Sequence, residues 1–246
     1  MEMSIQEWLT QVENNQVVKF DKINDRLLLM DFTEANKELA AEIIGDTMRF
    51  SNYINSKLYP ANGGTNSRLG IGGYDEHRTV YSRSKVFDAP QPGEEPRRLH
   101  IGIDIWGDAG TPVFAPLDGV VHSFSFNDRY GDYGATIILF HQFKGLSFHS
   151  LYGHLSLKDL DGLAEGKKIS AGELIAHFGG SEENGHWPPH LHFQLIIDME
   201  GNKGDYPGVC KFSEREKYLA NCPDPDVLLG MMQHAEKNEY RISNRE

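Results

Sequence analysis

The chain has 246 residues, 39% of them hydrophobic, and a formal net charge of −12. That is enough apolar material for one large domain, or one domain with a substantial extension. No block of Lys and Arg gives the footprint of a nucleic-acid binder, and the longest apolar runs, such as 135–140, are far too short to cross a bilayer.

The start, MEMSIQEWLTQVENNQ, has neither the basic nor the apolar region of a signal peptide. As written, the chain is expected in the cytoplasm, or in the periplasm or outside the cell if a leader is missing. Residues 1–58 read as mostly helical. SIQEWLTQVE opens with a capping-box pattern, Ser4 with Glu7. TEANKELAAEIIGDTMRFSNYINSKL repeats it, with Thr33 as the N-cap and Leu39, Ile43 and Met48 at helical spacing. VVKFDKINDRLLLMDF between them reads as a short extended pair. Residues 59–74, dense in Gly, Asn and Pro, read as a long loop.

After EEPRR the texture changes. HIGIDIW, TPVFAP, GVVHSFSF, ATIILFH, LSFHSLYGHL, KKISAGELIAHF and HLHFQLII are short β-branched or aromatic runs between Gly, Pro and Asp turns. They predict a mainly β fold, an antiparallel sheet, sandwich or barrel, with AGTPVFAPLDGVV as a hairpin or meander. The expected division is a helical extension with a Gly-rich loop over 1–73, a β-rich domain over 74–225, and a tail over 226–246 that begins with a short helix. Cys210 and Cys222 are expected as reduced thiols, with a disulfide or a second metal site as alternatives.

The chemistry gathers in histidines. His100 and Asp104 are four apart in HIGID, and His190 and His192 two apart in PPHLHF. Even offsets place side chains on one face of a strand, and a bend near Gly102 would let His100 and Asp104 lean toward one point. Strands laid side by side would bring three imidazoles and a carboxylate together, a ligand set suited to zinc with one position open. LYGHL adds His154. No HExxH helix is present, so the base of the commoner zinc proteases is absent and a histidine is its natural substitute.

HIGIDIWGDAGTPVFAPLDGVV, LYGHLS and WPPHLHFQL, in this order, resemble the M23 family of zinc metallopeptidases, of the lysostaphin and LytM type. The resemblance implies an open-groove β domain that holds one zinc ion per chain and cuts peptide bonds in peptidoglycan or its derived peptides. It also implies His100, Asp104 and His192 as zinc ligands, and His154 and His190 as catalytic histidines without metal, His190 taking the water proton. An imidazole of His154 or His190, neutral or protonated, would then donate to the oxyanion. In some relatives an upstream segment adds a ligand and holds the enzyme latent; here Asn62, Asn66 or His77 would play that part. His186, Trp187, Asn127, Asp128, Tyr130 and Asp132 are candidates to wall the groove. Two other readings stay open: a non-catalytic binding relative, and a phosphate carrier resembling the glucose-type IIA domains. Neither nucleic acid nor membrane is expected as a partner.

Overall fold

The computed structural model describes residues 5–59, 68–143 and 145–236. Nine strands form one sheet. They are β1 (Arg26–Met30), β2 (Arg68–Gly72), β3 (Ile103–Trp106), β4 (Gly119–Asn127), β5 (Gly134–Phe143), β6 (Leu146–Leu155), β7 (Lys168–Ile169), β8 (His190–Ile196) and β9 (Ala235–Glu236). Their spatial order is β7-β4-β5-β6-β8-β3-β2-β1-β9. A two-stranded sheet pairs Pro112–Phe114 with Leu174–His177, and a three-stranded one joins Val209–Cys210, Leu99–His100 and Glu76–His77. The mainly β expectation holds. No helix among the described residues is long and apolar enough to cross a membrane.

Side chains alternate across the central strands as a half-polar sheet requires. Leu191, Phe193 and Leu195 of β8, with Ile103 and Ile105 of β3, enter the largest apolar cluster. His190, His192 and Asp104 lie on the other face, all three buried. The strands β8 and β3 run antiparallel with His192 opposite Asp104 and His190 opposite Trp106. This register decides the site.

The structure departs from the sequence reading in five places. Helix does not run through 33–58: Thr33 accepts a local bond from the Ala35 amide at 3.2 Å, and the helices are α2 (Ala41–Ile44) and α3 (Thr47–Leu58), following α1 (Ile5–Leu9). Asp46, not Thr33, caps α3, its carboxylate accepting from the Arg49 amide at 2.9 Å. Phe50 and Ile54 face inward, whereas Met48 is 73% exposed. VVKFDKINDRLLLMDF contributes a single strand, β1, rather than a pair. The Gly-rich segment contains strand β2, parallel to β1 and antiparallel to β3. Its glycines are there for close approach: a Cβ at Gly70 would lie 2.8 Å from Met30 Cγ and one at Gly72 2.8 Å from Arg78 Nη2. The sheet is therefore mixed, since β1 also runs parallel to β9, and it extends across 73/74 and 225/226. Finally, AGTPVFAPLDGVV is not a hairpin, because Pro112–Phe114 pairs with Leu174–His177, while its last residues, in β4, open the meander β4-β5-β6 and pair also with β7. The 226–246 tail begins with a short helix, Asp226–Leu229. Ser4 and residues 237–246 lie outside the described residues.

Candidate metal centre

His100 ends the short strand Leu99–His100, and the chain bends over 101–102 into β3. That bend turns the His100 ring onto the face that carries Asp104. His100 Nε2 lies 3.0 Å from His192 Nδ1 and 3.2 Å from Asp104 Oδ1, and His192 Nδ1 lies 3.1 Å from the same oxygen. Among the described residues these three form the one cluster of His, Cys, Asp and Glu side chains with metal-holding spacing.

The hydrogen bonds behind the cluster fix its protons. The His100 Nδ1–H donates to the Gly73 carbonyl at 2.9 Å, and the His192 Nε2–H donates to Gln194 Oε1 at 2.9 Å. Each ring therefore turns an unprotonated nitrogen toward the centre. Asp104 accepts from Arg78 Nη1 on Oδ2 and turns Oδ1 inward. Three acceptor atoms thus meet at 3.0–3.2 Å with no donor hydrogen between them. Burial, with the nearby Arg78 cation, holds His100 down to about 4, so a proton does not fill the gap near neutrality. Burial opposes ionisation of Asp104, but its charged neighbours, the Arg78 cation bonded to Oδ2 among them, hold the carboxyl well below its usual range. A cation completes such a set. Ligands about 2.0–2.1 Å from a tetrahedral zinc stand roughly 3.3 Å apart, close to the triangle seen, so the residues fit the ion.

His190 and His154 stand beside this triangle. His190 lies flat on Trp106, with ring centroids 3.9 Å apart and planes at 13°, and its Nδ1–H donates to the Pro188 carbonyl at 2.8 Å. Its Nε2 is 4.0 Å from Asp104 Oδ1. The His154 ring centroid is 4.2 Å from that of His190, and its Nδ1–H donates to the Asn184 carbonyl at 2.8 Å. Strict alternation along β6 would have turned His154 into the core, beside Tyr152. A bulge prevents this: Gly153 and His154 together face Thr136 of β5, and His154 takes φ +63°. Burial lowers His190 to about 4 and His154 well below its ordinary range, with His190 and His192 adding to the latter. Both rings are therefore neutral and present a lone pair, not an N–H, at Nε2. Tyr133 supplies a hydroxyl 3.4 Å from His192 Nε2. Its ring and hydroxyl fit because Gly153 and Gly208 carry no side chain, since a Cβ there would come within 2.5 and 1.9 Å of them.

A cavity of about 210 Å³ opens onto Asp104, His154, His190 and His192, with Tyr81 and Trp187 among its other walls. Of the candidate groove residues, Trp187 and Asp132 line it. His186 instead stacks on Tyr130, 5.4 Å between centroids, and the Asn127 side chain bonds Thr136 and the Gly204 carbonyl. His77 is exposed and stands against Phe212, 6.3 Å between rings, apart from the cluster. Asn62 and Asn66 lie outside the described residues. Cys210 and Cys222 are buried free thiols. The sequence reading missed Tyr133 and Gln194. A polar Gln at the next same-face position after His190 and His192, in a buried strand, was the available signal.

A buried His–Asp–His triangle on the polar face of a mainly β sheet, with two further neutral imidazoles beside it, is a centre built to hold a metal ion. Residues 98–204 match the model of Peptidase family M23, a match that implies a bound metal. The DD-carboxypeptidase/endopeptidase Mpg of Neisseria meningitidis is 36% identical over 129 residues, 52% of this chain and 27% of that protein. The peptidoglycan DD-endopeptidase ShyC of Vibrio cholerae is 28% identical over 101 residues, 41% of this chain and 21% of that protein. The chain thus spans about a quarter of the length of the curated relatives it matches. Among solved structures, the catalytic domain of the antimicrobial peptidase lysostaphin from Staphylococcus simulans aligns at 22% identity with a TM-score of 0.35, over 54% of this chain and 80% of that one.

Proposed function

We propose that this chain is a zinc-dependent endopeptidase that hydrolyses peptide bonds of peptidoglycan or of peptides derived from it. The observation that carries the reading is the meeting of three acceptor atoms, His100 Nε2, Asp104 Oδ1 and His192 Nδ1, with no proton between them. The family match and the named activities of Mpg and ShyC support the substrate class.

His100, Asp104 and His192 would hold the ion. When bound, zinc supplies Lewis acidity, polarising a carbonyl and acidifying water. The remaining work falls to the chain's own groups. His190, its Nδ1–H anchored on Pro188, offers Nε2 as the general base that takes the proton of the attacking water and hands it to the departing amine. His154, anchored the same way on Asn184, offers a second lone pair beside it. Neither neutral ring can donate from Nε2 until it has taken a proton, so His190 becomes a donor to the carbonyl oxygen only after it has accepted the proton of water. A phosphate carrier is disfavoured by the same geometry, because the Asp104 carboxylate next to both motif histidines would repel the phosphoryl group.

The test is zinc content followed by digestion. Wild type should carry one zinc per chain and His192→Ala none, and the loaded enzyme should cleave purified peptidoglycan peptides. Failure to take up added zinc, or full zinc occupancy without cleavage, refutes the reading.

A further inference from the structure

The Gln194 side chain is fully buried at a strand position that apolar residues ordinarily occupy. An amide there destabilises the fold unless its donors and acceptor are satisfied. Here they are. Nε2 donates to the Pro207 carbonyl at 3.1 Å and to Cys222 Sγ at 3.3 Å. The carbonyl of Pro207 can only accept, which fixes the NH2 end of the amide and leaves Oε1 as the atom that meets His192. Gln194 and His192 are two apart on β8 and share a face, so the contact is built into the strand.

We propose that Gln194 is the positioning residue of the metal centre: it holds the His192 ring with its proton on Nε2, so that Nδ1 keeps its lone pair on the metal side. The inference rests on the metal-site reading above. A simple packing role does not account for the geometry, because Oε1 spends its hydrogen bond on the one ring nitrogen that faces away from the triangle. Outer partners of this kind typically contribute 10–100-fold in metal affinity.

Two variants separate positioning from strapping. Gln194→Met keeps the length and removes both ends of the amide. Gln194→Glu keeps the acceptor toward His192 and removes the donor toward Pro207 and Cys222. Zinc affinity is read by competition with a chromogenic chelator, and the coordination sphere by the visible spectrum after cobalt substitution. Gln194→Met should bind zinc roughly 10–100-fold more weakly, with an altered cobalt spectrum, while Gln194→Glu stays near wild type in both. Wild-type affinity in Gln194→Met, or an equal loss in Gln194→Glu, overturns the proposal. A wild-type chain that binds neither zinc nor cobalt refutes the metal site itself, which is a different failure. Should the variants not fold, long-range proton–nitrogen correlation on the metal-free wild type decides. It must show the His192 proton on Nε2, and a proton on Nδ1 overturns the assignment.

Discussion

Gly102→Ala tests the centre without touching a ligand. Gly102 occupies the bend between His100 and β3. A methyl built there lies 2.6 Å from both Cε1 and Nε2 of His192 and 2.9 Å from the Phe193 carbonyl oxygen. Its φ is not in the left-handed region, so the backbone accepts alanine and the whole cost is contact. The His192 ring must recede by about 0.8 Å, from 2.6 Å to the 3.4 Å at which ordinary contact begins. It cannot do so freely, because Nε2 is bonded to Gln194 and the strand on either side is buried. Overpacking of this kind costs about 1–3 kcal/mol, which for a chain of this size lowers the melting temperature by roughly 2–12 °C. The displaced nitrogen belongs to a metal ligand, so zinc affinity should fall at least tenfold. Scanning calorimetry and chelator competition on the same preparation read both effects. A variant that melts within a degree of wild type and keeps its zinc affinity would show that the bend is looser than the contacts state.

Other outcomes follow from the same geometry. His192→Ala and Asp104→Ala should lose zinc, measured by atomic absorption, whereas His190→Ala should keep it and lose roughly 10²–10⁴-fold in kcat as a missing general base. Zinc lost in His190→Ala and kept in His192→Ala would reverse the two assignments. Tyr133→Phe, which removes a hydroxyl at the outward nitrogen of His192, should retain metal and keep most of its kcat, and a loss of about 10²-fold or more, the effect of removing an oxyanion donor, would place that hydroxyl in the reaction. In the metal-free chain, His100 and His190 are held down to about 4 by burial, so the unfolded chain binds more protons between that value and the ordinary pKa near 6.5. Stability should be full above about 6.5 and decline as pH falls toward 4. Urea melts of chelator-treated protein that show no decline over that window would refute the burial of these rings as neutral species.

Much of the site was legible in the sequence because strand periodicity is local. The two-residue spacing of His190 and His192 states that they share a face, whereas His100 reaches the face of Asp104 through the bend over 101–102. Register is not local: that His192 lies opposite Asp104, rather than one pair along, is set by pairing between segments some ninety residues apart. The position of His154 was unreadable for a related reason, since a bulge overrides alternation and nothing in LYGHL announces one. RLGIG was misread as loop because glycine marks both turns and strands that other side chains approach closely. The helix after Thr33 failed on competition between caps, Asp46 and the Gly45 before it winning over a threonine whose hydroxyl closes a local turn.

The place of β2 in the sheet has a consequence for the segment that bears the family match. Strand β3, which carries Asp104, is flanked by β8 on one side and β2 on the other, and β2 comes from residues 68–72, upstream of residue 98, where the match begins. A fragment cut at residue 98 would leave the β3 backbone with a row of unpaired amides and carbonyls, an edge that invites pairing with a second molecule. It would also lose Gly73 and Arg78, which orient His100 and Asp104. Excised, the matching segment should self-associate and bind metal poorly. The upstream residues therefore belong to the same folding unit as the chemistry they precede.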